Sequence, residues 1–237
     1  MEKIKLQKNA LLAGLSYLVL IIVGIYGFVY ALPEIKIEGD TAKTIVNIKN
    51  NQFIFRIGIF SILVMNVVSI LLVTYLYRLL SRINKTMGLF MLILMLFGAA
   101  ISLINEVNHF AMIAINTMDG FSTIESENLT ILFSTIQKYG THIAAIFWGL
   151  WLFPLGALIF KLGTNISKFI GIALLIAGIG YTLDSIFLFV YPDFQLPTLS
   201  DYTSYGEFFL TIWLLFKSSS IEKLALSKIE ADNAVTT

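Results

Sequence analysis

Six apolar stretches punctuate this chain, and they constrain its fold more than any other feature. A helix needs about 20 consecutive, mostly apolar residues to cross the roughly 30 Å hydrocarbon core of a bilayer. Stretches of that kind run over residues 10–32, 57–77, 87–115, 141–160 and 169–191, and a shorter one over 203–216. Pro33 stops the first, the third is longer than a bilayer requires, and Pro154 lies inside the fourth. Lys3, Lys5 and Lys8 precede the first stretch as they would in a signal peptide. Its apolar run is too long for an h-region and no small-residue cleavage site follows, so it reads as a mature helix. The expected fold is all-α: a polytopic membrane bundle of six transmembrane helices, both termini cytoplasmic. Residues 1–218 form the bundle and residues 219–237 a cytoplasmic tail, an amphipathic helix that ends in disorder over 231–237.

Composition agrees. Hydrophobic residues make up 57% of the chain and charged residues 13%, against roughly 45–50% and 25% in soluble domains. The net charge of +1 leaves no basic face for nucleic acid, and with no cysteine there is no disulfide, thiolate nucleophile or thiolate-held metal.

Orientation follows from the basic residues. With the N-terminus inside, Lys3, Lys5, Lys8, Arg78, Arg82, Lys85, Lys161, Lys168, Lys217, Lys223 and Lys228 are cytoplasmic, 11 of 16. The outer segments hold Lys36, Lys43, Lys49, Arg56 and Lys138, together with acids such as Glu34, Glu38, Asp40, Glu125, Glu127 and Asp193. The outer stretch 39–52 reads as a small interfacial helix with Asp40 as its N-cap.

Several motifs in order resemble a bacterial family of integral membrane proteins, domain of unknown function 4386. They are Asn47-Ile48 with Phe55-Arg56-Ile57-Gly58, then Tyr75-Leu76-Tyr77-Arg78-Leu79-Leu80. Trp148-Gly149-Leu150-Trp151, Leu155-Gly156, Ala177-Gly178-Ile179-Gly180-Tyr181 and Trp213-Leu214-Leu215 follow. The loop Gly163-Thr164-Asn165-Ile166 departs from the pattern by lacking a proline. The resemblance implies the membrane topology and no particular activity.

Polar groups in hydrocarbon are costly and usually face the bundle interior or a wet cavity. The candidates are Arg56, Asn105, Glu106, Asn108, His109, His142, Asp184 and Glu207. At 1.5 Å per helical residue, Glu106 and His109 lie about 31 and 36 Å from Lys85, His142 about 28 Å from Lys161 and Asp184 about 24 Å from Lys168. Small-residue stripes flank them: Gly98, Ser102, Asn105 and His109; His142, Ala145, Gly149 and Gly156; Ala173, Ala177, Gly180 and Asp184. Such stripes let helices approach closely. The expectation is therefore an outward-opening polar pocket whose ligand-binding residues are Arg56, Asn105, Glu106, His109, His142 and Asp184.

Each candidate has a plainer reading. Arg56 is equally well placed to snorkel to headgroups. Glu207 fits better as the far end of a Ser204-x-x-Glu207 capping box. Glu106 and His109 fit better as a hydrogen-bonded pair, and His142 as an interfacial histidine with its partners satisfied. Trp148, Trp151 and Trp213 read as packing.

Three functions compete. The favoured one is a lipid- or ligand-binding or accessory role, with a membrane lipid or a membrane protein as partner. The second is a membrane hydrolase acting on a lipid-type substrate. His109, His142 and Asp184 would hold a divalent metal such as zinc, and Glu106 or Glu207 would act as general base. The third is a small proton-coupled carrier. The expected location is the cell membrane.

Overall fold

The computed structural model describes residues 2–191 and 197–236, and among them there are helices and no strand. Asp193 lies outside the described residues. In chain order the helices are α1 (Glu2–Gly24), α2 (Leu32–Ile35), α3 (Thr41–Asn50), α4 (Gln52–Leu80), α5 (Lys85–Asn105) and α6 (Val107–Thr117). Then come α7 (Thr123–Leu150), α8 (Leu152–Phe160), α9 (Asn165–Val190), α10 (Ser200–Thr203) and α11 (Tyr205–Thr236). Five helical runs are long and apolar enough to cross a membrane: Lys8–Ile35, Gln52–Leu80, Lys85–Thr117, Thr123–Phe160 and Asn165–Val190.

Pro33 does not end the first run. A π-helical turn, Ile25–Ala31, joins α1 to α2, and Pro33 sits in the first turn of α2. Proline lacks an N–H and crowds the carbonyl four residues earlier. The wider π turn takes up that conflict just before it. The chain leaves the helix only at Lys36 and then makes α3, where the Asp40 carboxylate accepts from the Lys43 N–H at 2.9 Å, the N-cap read from the sequence.

Two long runs are interrupted. Pro154 cannot bond to Leu150, and the fourth run breaks there into α7 and α8. The third breaks at Glu106, between α5 and α6. The polar stretch 123–140 is not a loop: α7 starts at a capping box in which the Ser122 side chain and Glu125 satisfy each other's backbone N–H. It extends the fourth run by 18 residues beyond the expected start at Thr141.

The sixth stretch falls short of a full crossing. α11 is apolar from Tyr205 to Phe216, and a kink at Lys217 (φ −125°, ψ 22°) closes that part. Its length of about 18 Å spans little more than half of a hydrocarbon core. It begins beside Ala173, the ninth of the 26 residues of α9, because a Cβ on Gly206 would lie 2.5 Å from the Ala173 carbonyl carbon. The segment 197–204 descends beside α9 to reach that depth. The last helix is thus a half-helix fed by a re-entrant segment.

The close contacts of α7 and α8 with α9 use Gly149 and Gly156 of the expected stripe, but on α9 they use Gly171 and Gly178 rather than the expected Ala173, Ala177 and Gly180. Gly149 meets Gly178 and Gly156 meets Gly171, with a Cβ on any of these lying 2.7–2.8 Å from the opposite carbonyl oxygen. At the N-terminal end of the bundle, Ala10, Leu80, Leu162, Ile221 and Ala225 belong to one buried cluster. The start of α1 and the part of α11 beyond Lys217 therefore lie at the same end. α11 remains helical to Thr236, although residues 231–236 read from the sequence as disordered.

Candidate functional site

The polar residues picked out in the sequence divide into two places rather than one chamber. The first is the break between α5 and α6. His109 is fully buried, and its Nδ1 lies 2.8 Å from Glu106 Oε2 across one helical turn. Phe55 of α4 packs edge-on against the imidazole, with ring centroids 5.4 Å apart. Nε2 of His109 has no hydrogen-bond partner among the described residues. Asn105, one residue before the break, donates to the Gln137 carbonyl oxygen at 2.8 Å and to Thr141 Oγ1 at 3.1 Å. Gly140 leaves the space that the Asn105 side chain fills. Asn108 turns back onto Asn105. Nearby, Lys36 donates to Gln137 Oε1 at 2.8 Å, and burial lowers its pKa from the usual lysine value to about 8, against the pull of Glu106. This cluster ties the end of α2 and the α5–α6 break to the middle of α7. Its members bond to one another, which is the structural reading of the Glu106–His109 pair.

Arg56 belongs to neither place. It is exposed on α4, on the face that also carries Phe53 and Phe60 (77% and 60% exposed), and makes no hydrogen bond or ion pair among the described residues. It points away from the bundle, as a snorkelling arginine does.

The second place centres on the re-entrant segment. Asp184 accepts from the Leu199 N–H at 2.7 Å and from the Ser200 N–H at 2.8 Å, one to each oxygen. Non-helical backbone at membrane depth is tolerated only where protein or a cavity satisfies it, and Asp184 does this for 199 and 200. Asp184→Ala should free that segment, at a cost of about 1–2 kcal/mol, as for a lost helix cap. Faster amide exchange over 197–204 in the detergent-solubilised chain would report it, and exchange as in the wild type would refute this role.

Glu207 does not close a capping box. Its carboxylate accepts from the Tyr17 hydroxyl of α1 at 2.5 Å, and the Tyr181 hydroxyl of α9 lies beside it. Among the described residues no three His, Asp or Glu side chains gather as a metal set. The His109, His142 and Asp184 triad does not form, because His109 is turned to Glu106 and both oxygens of Asp184 are taken by backbone N–H groups.

Beside Glu207 lies a cavity of about 860 Å³ between α1, α4, α5, α7, α9 and α11. Its walls are mainly apolar, with Leu20, Ile21, Phe28, Met65, Met95 and Trp148 among them, and its polar lining includes Tyr17, Asn66, His142, Tyr181, Asp184 and Glu207. Several lining residues are also exposed on the outside of the bundle, including Ile25 (56%), Val29 (69%), Tyr205 (60%) and Phe208 (51%). The mouth is thus lateral, between the π turn and the start of α11. The two helices splay there after meeting tightly below, where a Cβ on Gly14 would lie 3.0 Å from the Leu215 nitrogen. A second cavity of about 430 Å³ lies beside Lys36, Gln137 and Lys138. Phe28, Thr141 and His142 line both cavities and so form the partition between them. Nδ1 of His142 is buried there without a partner among the described residues.

A family model matches residues 12–218, under the description Domain of unknown function (DUF4386). The chain belongs to this family. No curated protein and no solved structure matches it. It is thus a multi-pass membrane member of DUF4386 with an all-helical bundle, and the matched region contains both polar places and both cavities.

The stretches that carry the DUF4386 resemblance fall on working surfaces of this bundle. Phe55 packs on His109, and a Cβ on Gly58 would lie 2.7 Å from the Ala31 Cβ at the end of the π turn. Trp148, Trp151 and Tyr181 line the larger cavity, while Gly149 and Gly178 form the close contact of α7 with α9. Trp151 and Trp213 are buried packing residues, as expected, but Trp148 and Trp151 are cavity wall as well. Tyr17, Asn66, Gln137 and Tyr181 were not among the sequence candidates. Asn66 was detectable as a lone amide inside the span 57–77; the two tyrosines carry no such signal in an aromatic-rich chain.

Proposed function

We propose that this DUF4386 protein is a lipid- or ligand-binding membrane protein, which takes an elongated apolar molecule from the bilayer into its lateral cavity. The supporting observation is the cavity of about 860 Å³, within the usual 300–1,000 Å³ of small-molecule sites, with apolar walls and a few convergent polar groups. Its mouth between Ile25, Val29 and Phe208 suits a molecule arriving within the membrane rather than from water. In this reading residues 1–218 form the bundle in the cell membrane, and both ends are cytoplasmic by the basic-residue asymmetry. Residues 219–237 form the cytoplasmic tail.

The corrected placement changes the headgroup chemistry. Arg56 is exposed on the outside of α4, so it supplies no cation to a headgroup inside the cavity. A metal-assisted hydrolase is not favoured either, since His109 pairs with Glu106, Asp184 accepts from two backbone N–H groups, and no three such side chains gather among the described residues.

The test is native mass spectrometry of the purified chain. The wild type should carry a co-purifying ligand of one stoichiometric mass. Ala145→Phe, which fills the cavity from α7, should lose it while melting at a similar temperature. Equal retention by both would sink the proposal. A carrier is the second reading, because a half-helix meeting a cavity is a transporter feature. Net uptake of the retained ligand into proteoliposomes would favour it over simple binding.

A further inference from the structure

The acceptors that line the cavity specify the ligand more closely. We propose that the bound molecule carries an ammonium group on an apolar tail, with the ammonium at Glu207 and the tail along the wall of α1 and α4. This rests on the binding reading above and assigns its chemical class.

Three observations converge. First, the cavity lining includes the carboxylates of Glu207 and Asp184 and, among the described residues, no lysine or arginine. Asp184 is compensated by two backbone N–H groups. The partners of Glu207 among the described residues are the phenolic hydroxyls of Tyr17 and Tyr181, and no described lysine or arginine of the cavity lining balances its carboxylate. An acid at this depth is expensive and normally has a counter-charge.

Second, an unused acceptor lines the same cavity. Asn66 is fully buried, and its amide N–H groups go to the Ile62 carbonyl oxygen and to Ser102 Oγ, both at 2.9 Å. The Ile62 carbonyl can only accept, so that bond fixes which end of the amide is nitrogen. The remaining Oδ1 accepts nothing among the described residues. A buried polar atom without a partner calls for a donor. An ammonium has three N–H donors, whereas a carboxylate or phosphate headgroup has none to spare.

Third, the surroundings of Glu207 are aromatic. Tyr17 and Trp151 pack with centroids 6.3 Å apart, and the Tyr181 hydroxyl is a second hydrogen-bond partner of the carboxylate. Aromatic faces attract cations, and more strongly away from water. They offer little to an anion, so the site discriminates by sign as well as by donors.

The experiment compares three probes with one tail: dodecylammonium, dodecanol and dodecanoate. Each is titrated against the full chain at neutral pH, with binding read as the one-to-one adduct in native mass spectrometry. Dodecylammonium should bind about tenfold or more tighter than the other two, and Glu207→Gln should remove that advantage while leaving dodecanol unchanged. Tyr181→Leu keeps Glu207 and its Tyr17 bond; it should weaken the amine several-fold and the alcohol not at all. This arm decides the matter if Glu207→Gln does not fold. Equal binding of amine and alcohol, untouched by either substitution, overturns the ammonium assignment and leaves the cavity reading intact. A protonated Glu207 would give that result. Binding of none of the three overturns both.

Discussion

Glu106→Ala is expected to cost the folded chain about 3 kcal/mol, read as a clear fall in melting temperature in detergent. The reason lies in how completely His109 depends on it. The imidazole is fully buried, its Nδ1 bonds only to Glu106, and its Nε2 has no partner among the described residues. Removing the carboxylate leaves both ring nitrogens bare against Phe55 and opens a void at the α5–α6 break. Glu106→Gln keeps an acceptor oxygen in place and should retain most of the stability. The sharper test is the double variant Glu106→Leu with His109→Phe. Replacing both members of a buried polar pair by apolar groups of similar shape is far cheaper than orphaning one. The double variant should therefore melt above either single one. If its loss is merely the sum of the two, the pair is not an energetic unit and the account of this break is wrong.

The second large effect is expected for Gly206→Leu. A side chain at this position meets main chain: its Cβ would lie 2.5 Å from the Ala173 carbonyl carbon and 2.6 Å from the carbonyl oxygen. Backbone cannot swing aside as a flexible side chain can, so α11 must leave α9. Overpacking of this kind costs about 1–3 kcal/mol and more when backbone is involved, so a loss of about 3 kcal/mol is expected. Function should suffer too. The start of α11 carries Glu207 and part of the cavity mouth, and α10 just before it is held by Asp184. Gly206→Leu should melt early and lose its retained ligand. Gly206→Ala should shift both in the same direction by less. A Gly206→Leu chain with wild-type melting would mean that α11 does not approach α9 so closely.

These two positions also separate what was legible in the residues from what was not. The Glu106–His109 pair could be read directly, because residues three apart on one helix face each other whatever the rest of the chain does. So could the Asp40 cap, which depends on the next three residues. Asp184 was legible as a carboxylate needing compensation, but its partners, the 199 and 200 N–H groups, belong to a segment with no helical or apolar periodicity. Glu207 looked like a capping residue because Ser204 stands at the right spacing. Nothing local revealed that Tyr17, 190 residues away, would take its carboxylate. Arg56 was misplaced for a related reason: depth can be counted from basic markers, but the direction a residue faces around its helix depends on which neighbours pack there.

Membrane insertion, an all-helical bundle and the five long runs follow from the sequence alone. In hydrocarbon each backbone group must be satisfied within its own helix, so apolar length converts directly into crossings. The family followed from ordered local motifs. The grouping of polar residues was decided only in three dimensions. It depends on the break at Glu106, the π turn before Pro33 and the depth at which Gly206 lets α11 meet α9. Each is a long-range packing compromise between helices, and such compromises leave no periodic trace along the chain.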